Sequence, residues 1–96
     1  MQHKRWFVYI MTNQKYWTLY IWVTSDLIKR IWEHKNKFVD WFTKTYDLER
    51  LVYYEVFENI VFAIEREKKL KNWHRQWKLN AIDKFNPDWI DLYDKL

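Results

Sequence analysis

Glu67 stands out in this 96-residue sequence as a charged residue on an otherwise apolar helical stripe. It lies three residues after Ile64 and three before Leu70, so a helix here would turn all three side chains toward one face. A carboxylate on an inward face is costly unless a cation or hydrogen-bond donors accompany it. The position therefore predicts either an ion pair, with Lys71 or Arg66, or a functional site.

Arg30 and His34 form a second candidate pair. They are four residues apart in a segment that opens with Thr24-Ser25-Asp26, a pattern typical of a helix start. That spacing puts both side chains on one side of a helix, at the border of the apolar stripe that contains Leu27 and Ile31. From the spacing alone, the ordinary interpretation is a solvated helix edge.

Tyr9 and Tyr20 lie in two short runs of β-branched and aromatic residues, Phe7 to Thr12 and Thr18 to Thr24. A polar loop of hairpin length separates the runs and predicts an antiparallel hairpin. A hairpin centred between residues 14 and 15 would place Tyr9 directly across from Tyr20, whereas a slip of one residue would separate them. Without further information, such tyrosines are more often sheet residues that pack beneath a helix.

The remaining pattern predicts the elements that position these side chains. After the two strands and the first helix come an irregular connection over residues 39–49, a strand from Leu51 to Phe57, a helix capped by Asn59, and a further helical piece from Trp77 to Phe85 that ends at Asn86 and Pro87. The order β-β-α-β-α-α gives an α+β fold, in which helices flank one three-stranded antiparallel sheet.

The length and composition narrow the class of protein. Ninety-six residues, 49% of them apolar, predict a single domain over residues 1–96. The absence of cysteine excludes disulfides and thiolate metal sites, and it makes the cytoplasm the simplest expected location. No stretch approaches the ~18 apolar residues of a membrane span, and no secretory leader follows the basic N-terminus. We therefore expect no membrane partner.

A net charge of +4 and a pI of about 9.3 favour a polyanionic partner such as nucleic acid. One basic run could follow a nucleic-acid backbone, although such a run is more often simply a solvated face. It contains Lys68, Lys69, Lys71, His74, Arg75 and Lys78. A protein partner or a homo-oligomer is not indicated. The sequence has no P-loop, no glycine-rich nucleotide fingerprint and no HExxH motif.

Six short segments carry a family resemblance. They are Val8-Tyr9-Ile10, Leu19-Tyr20-Ile21-Trp22, the stretch from Thr24 to Lys35 with Arg30-x-x-x-His34, Tyr53-Tyr54-Glu55, Ala63 to Lys68, and Asn86-Pro87-Asp88-Trp89. In this order and spacing they resemble the GIY-YIG nuclease family. The chain is similar to its small stand-alone bacterial members and to the N-terminal domain of a bacterial excision-repair endonuclease. The likeness extends from about Phe7 to Tyr93.

The resemblance implies a metal-dependent endonuclease that hydrolyses phosphodiester bonds with a tyrosine-activated water. Tyr9 matches the tyrosine that activates the water, and Tyr20 the one that supports this proton transfer. Arg30 matches the arginine that steadies the scissile phosphate, and His34 a polar helper. Because a tyrosine titrates near ~10 in water, it needs a cation nearby to act as a base, and Arg30 or Lys29 is available.

The same resemblance implies that Glu67 holds the metal and that Asn86 shapes the edge of the site. A single carboxylate suits one Mg²⁺, or another divalent cation such as Mn²⁺, that keeps most of its waters. The implied partner is nucleic acid, with DNA as the first expectation, in repair or a mobile element. The residues expected to contact its backbone are Lys29, Lys35, Lys68, Lys69, Lys71 and Arg75.

Two other classes remain open. One is a catalytically weak or inactive nucleic-acid-binding module of the same fold, and the other is an interaction domain whose aromatic surface binds a protein. The joint presence of Tyr9, Tyr20, Arg30, His34 and Glu67 favours the endonuclease. An interaction module has no use for a carboxylate on an inward helix face.

The sequence departs from the family pattern at glycine positions. It contains no glycine and eight tryptophans, although average proteins contain about 7% glycine. The family has glycine where this chain has Trp22, and glycines are also expected near Trp6, Trp17 and Trp41. An indole at position 22 would crowd the tyrosine pocket. Our hypothesis is that these tryptophans are UGA codons, which some organisms read as glycine.

Overall fold

The computed structural model describes residues 4–16, 18–38 and 48–96. Its elements are β1 (Trp6–Thr12), β2 (Leu19–Thr24), α1 (Leu27–Lys35), β3 (Arg50–Phe57), α2 (Ile60–Asn72), α3 (Arg75–Phe85) and a short 3-10 helix (Leu92–Lys95). The predicted α+β fold and the β-β-α-β-α-α order are confirmed. None of the described helices is long and apolar enough to cross a bilayer. The connection predicted over residues 39–49 lies mostly outside the described residues.

The three strands form one antiparallel sheet in the order β2-β1-β3, so β1 is central. Because side chains alternate along a strand, β1 contributes to a core on each face. On one face, Val8 and Ile10 pack in a cluster that also contains Ala63 and Leu70 of α2. On the other, Tyr9 packs in a cluster with Met11, Leu27, Ile31, Leu48 and Leu51. The sheet thus separates α2 from α1.

The hairpin register differs from the one expected. Tyr9 lies across from Trp22 and Tyr20 across from Met11, which centres the hairpin between residues 15 and 16. The predicted direct pairing of Tyr9 with Tyr20 is therefore wrong. The shift moves the partner by two residues, and a two-residue shift keeps side chains on the same face. Both tyrosines consequently still face α1, as diagonal neighbours.

The predicted helix starts are confirmed by their caps. The side chain of Asp26 accepts a hydrogen bond from the backbone N–H of Lys29 at 3.1 Å, and that of Asn59 accepts one from Val61 at 2.7 Å. The last helix begins at Arg75, two residues before the predicted position, and Asn86 ends it as expected. These caps fix where α1 and α2 begin, while the apolar clusters hold the two helices at opposite faces of the sheet.

The side chains of Tyr53, Glu55 and Arg66 form a network that ties α2 to β3. Arg66 donates two hydrogen bonds to the Glu55 carboxylate, at 2.9 and 3.1 Å, and the Tyr53 hydroxyl donates to the same carboxylate. Bidentate pairs of this kind combine charge with fixed geometry. Burial, and then the hydrogen bond and negative charge of Glu55, raise the pKa of Tyr53 to about 12.

We expect this tyrosine to make the fold sensitive to alkali. The unfolded chain loses the Tyr53 proton near pH 10, whereas the folded chain keeps it until about pH 12. The folded state binds more protons in that interval, so the free energy of unfolding falls as the pH rises through it. Urea unfolding of the parent and of Tyr53→Phe at several pH values measures the difference. Parallel pH profiles for the two proteins would contradict the prediction.

Candidate functional site

Tyr9, Tyr20 and His34 form a compact cluster between the sheet and α1. The Tyr9 hydroxyl lies 3.1 Å from His34 Nε2, within hydrogen-bond distance. The His34 ring lies edge-on to both tyrosines, with centroids 5.8 Å from Tyr9 and 5.4 Å from Tyr20, and the tyrosine rings are 6.4 Å apart. His34 is only 1% exposed, so the expected solvated helix edge is wrong for this residue.

Arg30 stands one helical turn before His34 and faces the same two tyrosines. Burial lowers the pKa of Arg30, but hydrogen bonds and charge interactions with the hydroxyls of Tyr9 and Tyr20 raise it, and the net result lies above its ordinary value. The guanidinium therefore carries a permanent positive charge beside both hydroxyls. It also contacts the Glu33 carboxylate at 3.5 Å. A cation so placed stabilises negative charge that develops on a phenol oxygen or on a bound phosphate.

Glu67 lies where the helical period predicted, on the inward face of α2 and only 7% exposed. Its carboxylate forms an ion pair with Lys71, one turn further along the helix. Arg66, the other expected partner, bonds to Glu55 instead. Among the residues that the structure describes, this buried carboxylate thus already holds a cation, the ammonium of Lys71.

Trp22 connects the two groups of side chains. Lys71 Nζ lies 3.7 Å from the centroid of the Trp22 ring, and that ring stacks on Tyr20 with centroids 6.1 Å apart. Contacts therefore run from the tyrosine cluster through Trp22 and Lys71 to Glu67. The sequence indicated Lys71 both as a nucleic-acid contact and as a possible ion-pair partner of Glu67, but local spacing gave no sign of its contact with Trp22.

Two further predicted residues, Asn86 and Lys35, have internal partners. Asn86 is buried, and its side-chain amide donates to the carbonyls of Val52 and Ile90 at 3.2 and 2.8 Å, which ties the end of α3 to β3. Lys35 forms an ion pair with Asp91 and also donates a hydrogen bond to the carbonyl of Glu49. These two contacts hold its ammonium group against the protein. Both residues therefore have a structural role.

The remaining basic residues lie at the surface. Lys29, Lys68 and Lys69 are exposed, and Arg75, also exposed, donates to the carbonyl of Tyr16 at 2.8 Å. Lys68 and Lys69 are therefore the best-placed members of the predicted backbone-contacting set on α2.

A separate cavity of about 750 Å³ is lined mostly by charged residues. Four of them are paired with one another, Lys35 with Asp91 and Lys37 with Glu49.

The donor set suits a hydrated cation. The described part of the chain contains no group of three or more histidine, aspartate or glutamate side chains that could enclose a metal. A hard ion such as Mg²⁺ is commonly held by one or two carboxylates while it keeps several waters. Glu67 offers one carboxylate, and its present contact with an ammonium agrees with a site for positive charge.

Trp6 and Trp22 can be compared with the glycine hypothesis; Trp17 and Trp41 lie outside the described residues. Trp6 and Trp22 lie in the extended strands β1 and β2. Within the described ranges, positive φ occurs instead at Tyr16, Lys37 and Trp89. Backbone conformation therefore does not require glycine at position 22. The consequence of an indole at position 22 is that its ring fills the space beside Tyr20 and Lys71. Trp22 is 44% exposed and contacts both residues.

Trp22→Gly should ease the displacement of Lys71 from Glu67. A partly desolvated cation–π contact is worth ~0.5–2 kcal/mol. If Glu67 holds Mg²⁺, as the family resemblance implies, loss of this contact should lower the Mg²⁺ concentration that half-saturates the carboxylate by roughly 2- to 30-fold. We expect the melting temperature to fall as well, because glycine weakens a strand. Trp6→Gly is the matched control, since Trp6 is also a strand residue. An Mg²⁺ requirement equal to that of the parent would contradict the role given to Trp22.

Comparisons with known proteins identify the family of this chain. The sequence model of the family described as the GIY-YIG catalytic domain matches residues 5–80, a range that contains every proposed site residue except Asn86. UPF0213 protein SSP2268 of Staphylococcus saprophyticus is 37% identical over 65 residues, which cover 68% of this chain and 79% of that protein. No solved structure matches the chain at a significant level.

Proposed function

This chain belongs to the GIY-YIG family, and on that premise we propose that it is an endonuclease that hydrolyses phosphodiester bonds of nucleic acid, with DNA as the proposed substrate. The observation that carries the proposal is the buried contact of Tyr9 with His34 beside Arg30. A phenol, a proton acceptor and a fixed cation at one point are what general-base catalysis on a phosphodiester requires.

The proposed reaction uses Tyr9 as a proton relay. Tyr9 is fully buried, so the side chains that cover it must move to admit substrate and water. The oxygen of a water molecule then attacks phosphorus while its proton passes to the Tyr9 oxygen, and the Tyr9 proton passes to His34 Nε2. The bond from phosphorus to the leaving oxygen breaks, and the alkoxide so released takes a proton from solvent water. Arg30 neutralises charge on the phosphate and on the phenol oxygen during this transfer. Tyr20 packs against the His34 ring and holds its orientation, which supports the relay.

Glu67 is the residue proposed to hold Mg²⁺ or Mn²⁺. A bound divalent ion would polarise a phosphate oxygen and favour loss of a proton from water. Occupancy requires Lys71 to leave the carboxylate, and the long lysine side chain can swing toward solvent because it is already partly exposed. The Glu67–Lys71 ion pair is thus compatible with a metal role for Glu67. The same ion pair is also what a purely structural role of Glu67 would give.

A second candidate function is a nucleic-acid-binding module with weak or no catalysis. The observation that favours it is the contact of Lys71 with both Glu67 and Trp22, since this arrangement occupies the proposed metal position. The basic surface of α2 would then be the functional part. The two candidates differ in what Mg²⁺ does, because only the endonuclease needs it for turnover.

The experiment is plasmid nicking and cleavage of labelled oligonucleotides, with Mg²⁺ or with EDTA, beside a binding titration. An endonuclease should cut only with the metal. Changing Lys68 and Lys69 together to alanine should weaken binding and lower the salt dependence by about two phosphate contacts, because both lysines are exposed. Glu65→Gln is the control, because it changes the charge of an exposed side chain on the same helix without removing a cation. Binding without cleavage under every condition would favour the second candidate.

A cellular setting can be proposed from weaker support. We propose a cytoplasmic protein of DNA repair or of a mobile element, because the sequence has no cysteine and its short segments resemble those of a repair nuclease domain. Comparing cleavage of intact, nicked and branched DNA substrates would separate a repair role from general degradation. Equal rates on all of them would argue against structure-specific repair.

A further inference from the structure

A second concave surface lies between α2 and α3 on the side of β3. Its volume is about 480 Å³, and its lining combines aromatic rings with two cationic side chains. The lining residues are Tyr53, Arg66, Trp73, Ala81, Lys84 and Phe85. We call this surface the aromatic cleft. It has no part in the proposed chemistry of Tyr9 and Glu67.

The rings of the aromatic cleft are held in place yet exposed. Phe85 is 47% exposed, and its ring lies edge-on to Tyr53 and Tyr54 with centroids 5.0 and 5.6 Å away. Trp77 lies beside the aromatic cleft and not in its lining; it is 55% exposed and lies edge-on to Trp73, a lining residue, at 6.0 Å. Edge-on contacts hold these two rings in place, while about half of each side chain remains exposed.

The spacing and the charge of the aromatic cleft suit a chain of nucleotides. Trp77 and Phe85 are eight residues apart on α3, which corresponds to about 12 Å along the helix axis. Lys84 is exposed beside Phe85, whereas the Arg66 guanidinium lies 5.0 Å from the Trp73 centroid and is neutralised by Glu55. The cleft therefore presents flat apolar faces with a net positive charge at its rim.

The aromatic cleft and the proposed metal residue Glu67 lie on neighbouring faces of α2. Arg66 and Glu67 are neighbours in α2, and successive helix residues point about 100° apart. Arg66 faces β3 and the cleft, while Glu67 pairs with Lys71 next to Trp22 on β2. A nucleic-acid strand that passes around the end of α2 would reach both surfaces.

We propose that the aromatic cleft binds unpaired nucleotides of single-stranded nucleic acid, by stacking bases on Phe85 and Trp77 while Lys84 contacts a phosphate. Only unpaired bases can offer an open face to these rings, because in a duplex the neighbouring base pairs cover it. The inference rests on the proposed function, since it names the form of substrate that the endonuclease would hold: one with a single-stranded segment beside the cut.

The test is binding of a labelled oligothymidylate and of a duplex of the same length, measured by fluorescence anisotropy in EDTA to prevent cleavage. Stacking on an aromatic ring is worth ~1–3 kcal/mol per base, or roughly 5- to 150-fold in Kd. Phe85→Leu and Trp77→Leu keep apolar packing but remove the aromatic face, and each should weaken binding of the single strand by about tenfold. Duplex binding should change less than about twofold.

Phe62→Leu is the matched control, because Phe62 is an exposed ring on α2 that neither lines the aromatic cleft nor lies on α3 with Trp77 and Phe85. It should bind both probes as the parent does, and melting curves of all variants exclude unfolding as the cause of a loss. If Phe85→Leu and Trp77→Leu bind the single strand like Phe62→Leu, or if the parent does not bind it at all, the proposal is overturned. If the parent binds it but cuts nothing in Mg²⁺, only the proposed function fails.

Discussion

Tyr9→Phe is expected to lower the rate of Mg²⁺-dependent cleavage by ~10²–10⁴-fold, the usual contribution of a positioned acid–base group. The variant removes one oxygen atom, and with it the group 3.1 Å from His34 Nε2 that would carry the proton. The ring remains to fill the core, so the fold should persist. Affinity for nucleic acid should change little, because Tyr9 is fully buried and adds nothing to the positive surface.

Tyr54→Phe is the control for this result. Tyr54 lies directly across from Tyr9 on the neighbouring strand, so the variant removes a phenol oxygen from the same face of the same sheet. It should cut at the parent rate. The measurement is single-turnover cleavage of a labelled oligonucleotide beside its Kd, which separates chemistry from binding. If Tyr9→Phe cuts as fast as the parent, the tyrosine-base mechanism fails, whereas equal losses in both variants would indicate a general effect on the sheet.

Glu67→Gln should abolish the dependence on Mg²⁺ together with most of the cleavage. The amide keeps the size of the carboxylate but removes the charge that would hold a divalent ion, and metal catalysis is worth several kcal/mol, or ~10²–10⁴-fold. Stability should change little, because the freed Lys71 side chain is partly exposed and can reach water. Binding of nucleic acid in EDTA should therefore be close to that of the parent.

A thermal shift provides a readout that does not depend on activity. A ligand that binds only the folded state raises the melting temperature as its occupancy increases. Mg²⁺ should stabilise the parent and not Glu67→Gln, whereas Glu65→Gln, a change of the exposed carboxylate two residues earlier, should respond like the parent. Persistence of the Mg²⁺ shift in Glu67→Gln would remove this residue from the proposed metal site.

The order of the elements could be read from the sequence because its signals are local. Asp26 and Asn59 cap helices through hydrogen bonds to residues two or three positions away, so their effect needs no distant partner. The alternation of side chains in β1 is local as well, and it assigned Tyr9 to one face of the sheet. The inward position of Glu67 followed from the helical period alone.

Tertiary structure decided how these elements meet. The hairpin register was displaced by two residues from the expected one, because loop geometry and cross-strand packing set it, and the shared face of Tyr9 and Tyr20 survived only since the displacement is even. The burial of His34 depends on α1 lying against that face, a contact between segments 25 residues apart. Periodicity could place His34 at the border of a stripe but could not measure its exposure.

Tertiary structure also determined which cation pairs with Glu67. Both Arg66 and Lys71 are close to it in sequence, and the choice followed from β3, where Glu55 takes up Arg66 in a bidentate pair. Lys71 is left to Glu67 and to Trp22, a residue of the edge strand on the far side of β1. Local pattern thus determined which side chains face inward, while long-range packing determined which charges meet, because electrostatic pairing depends on distances that only the folded chain defines.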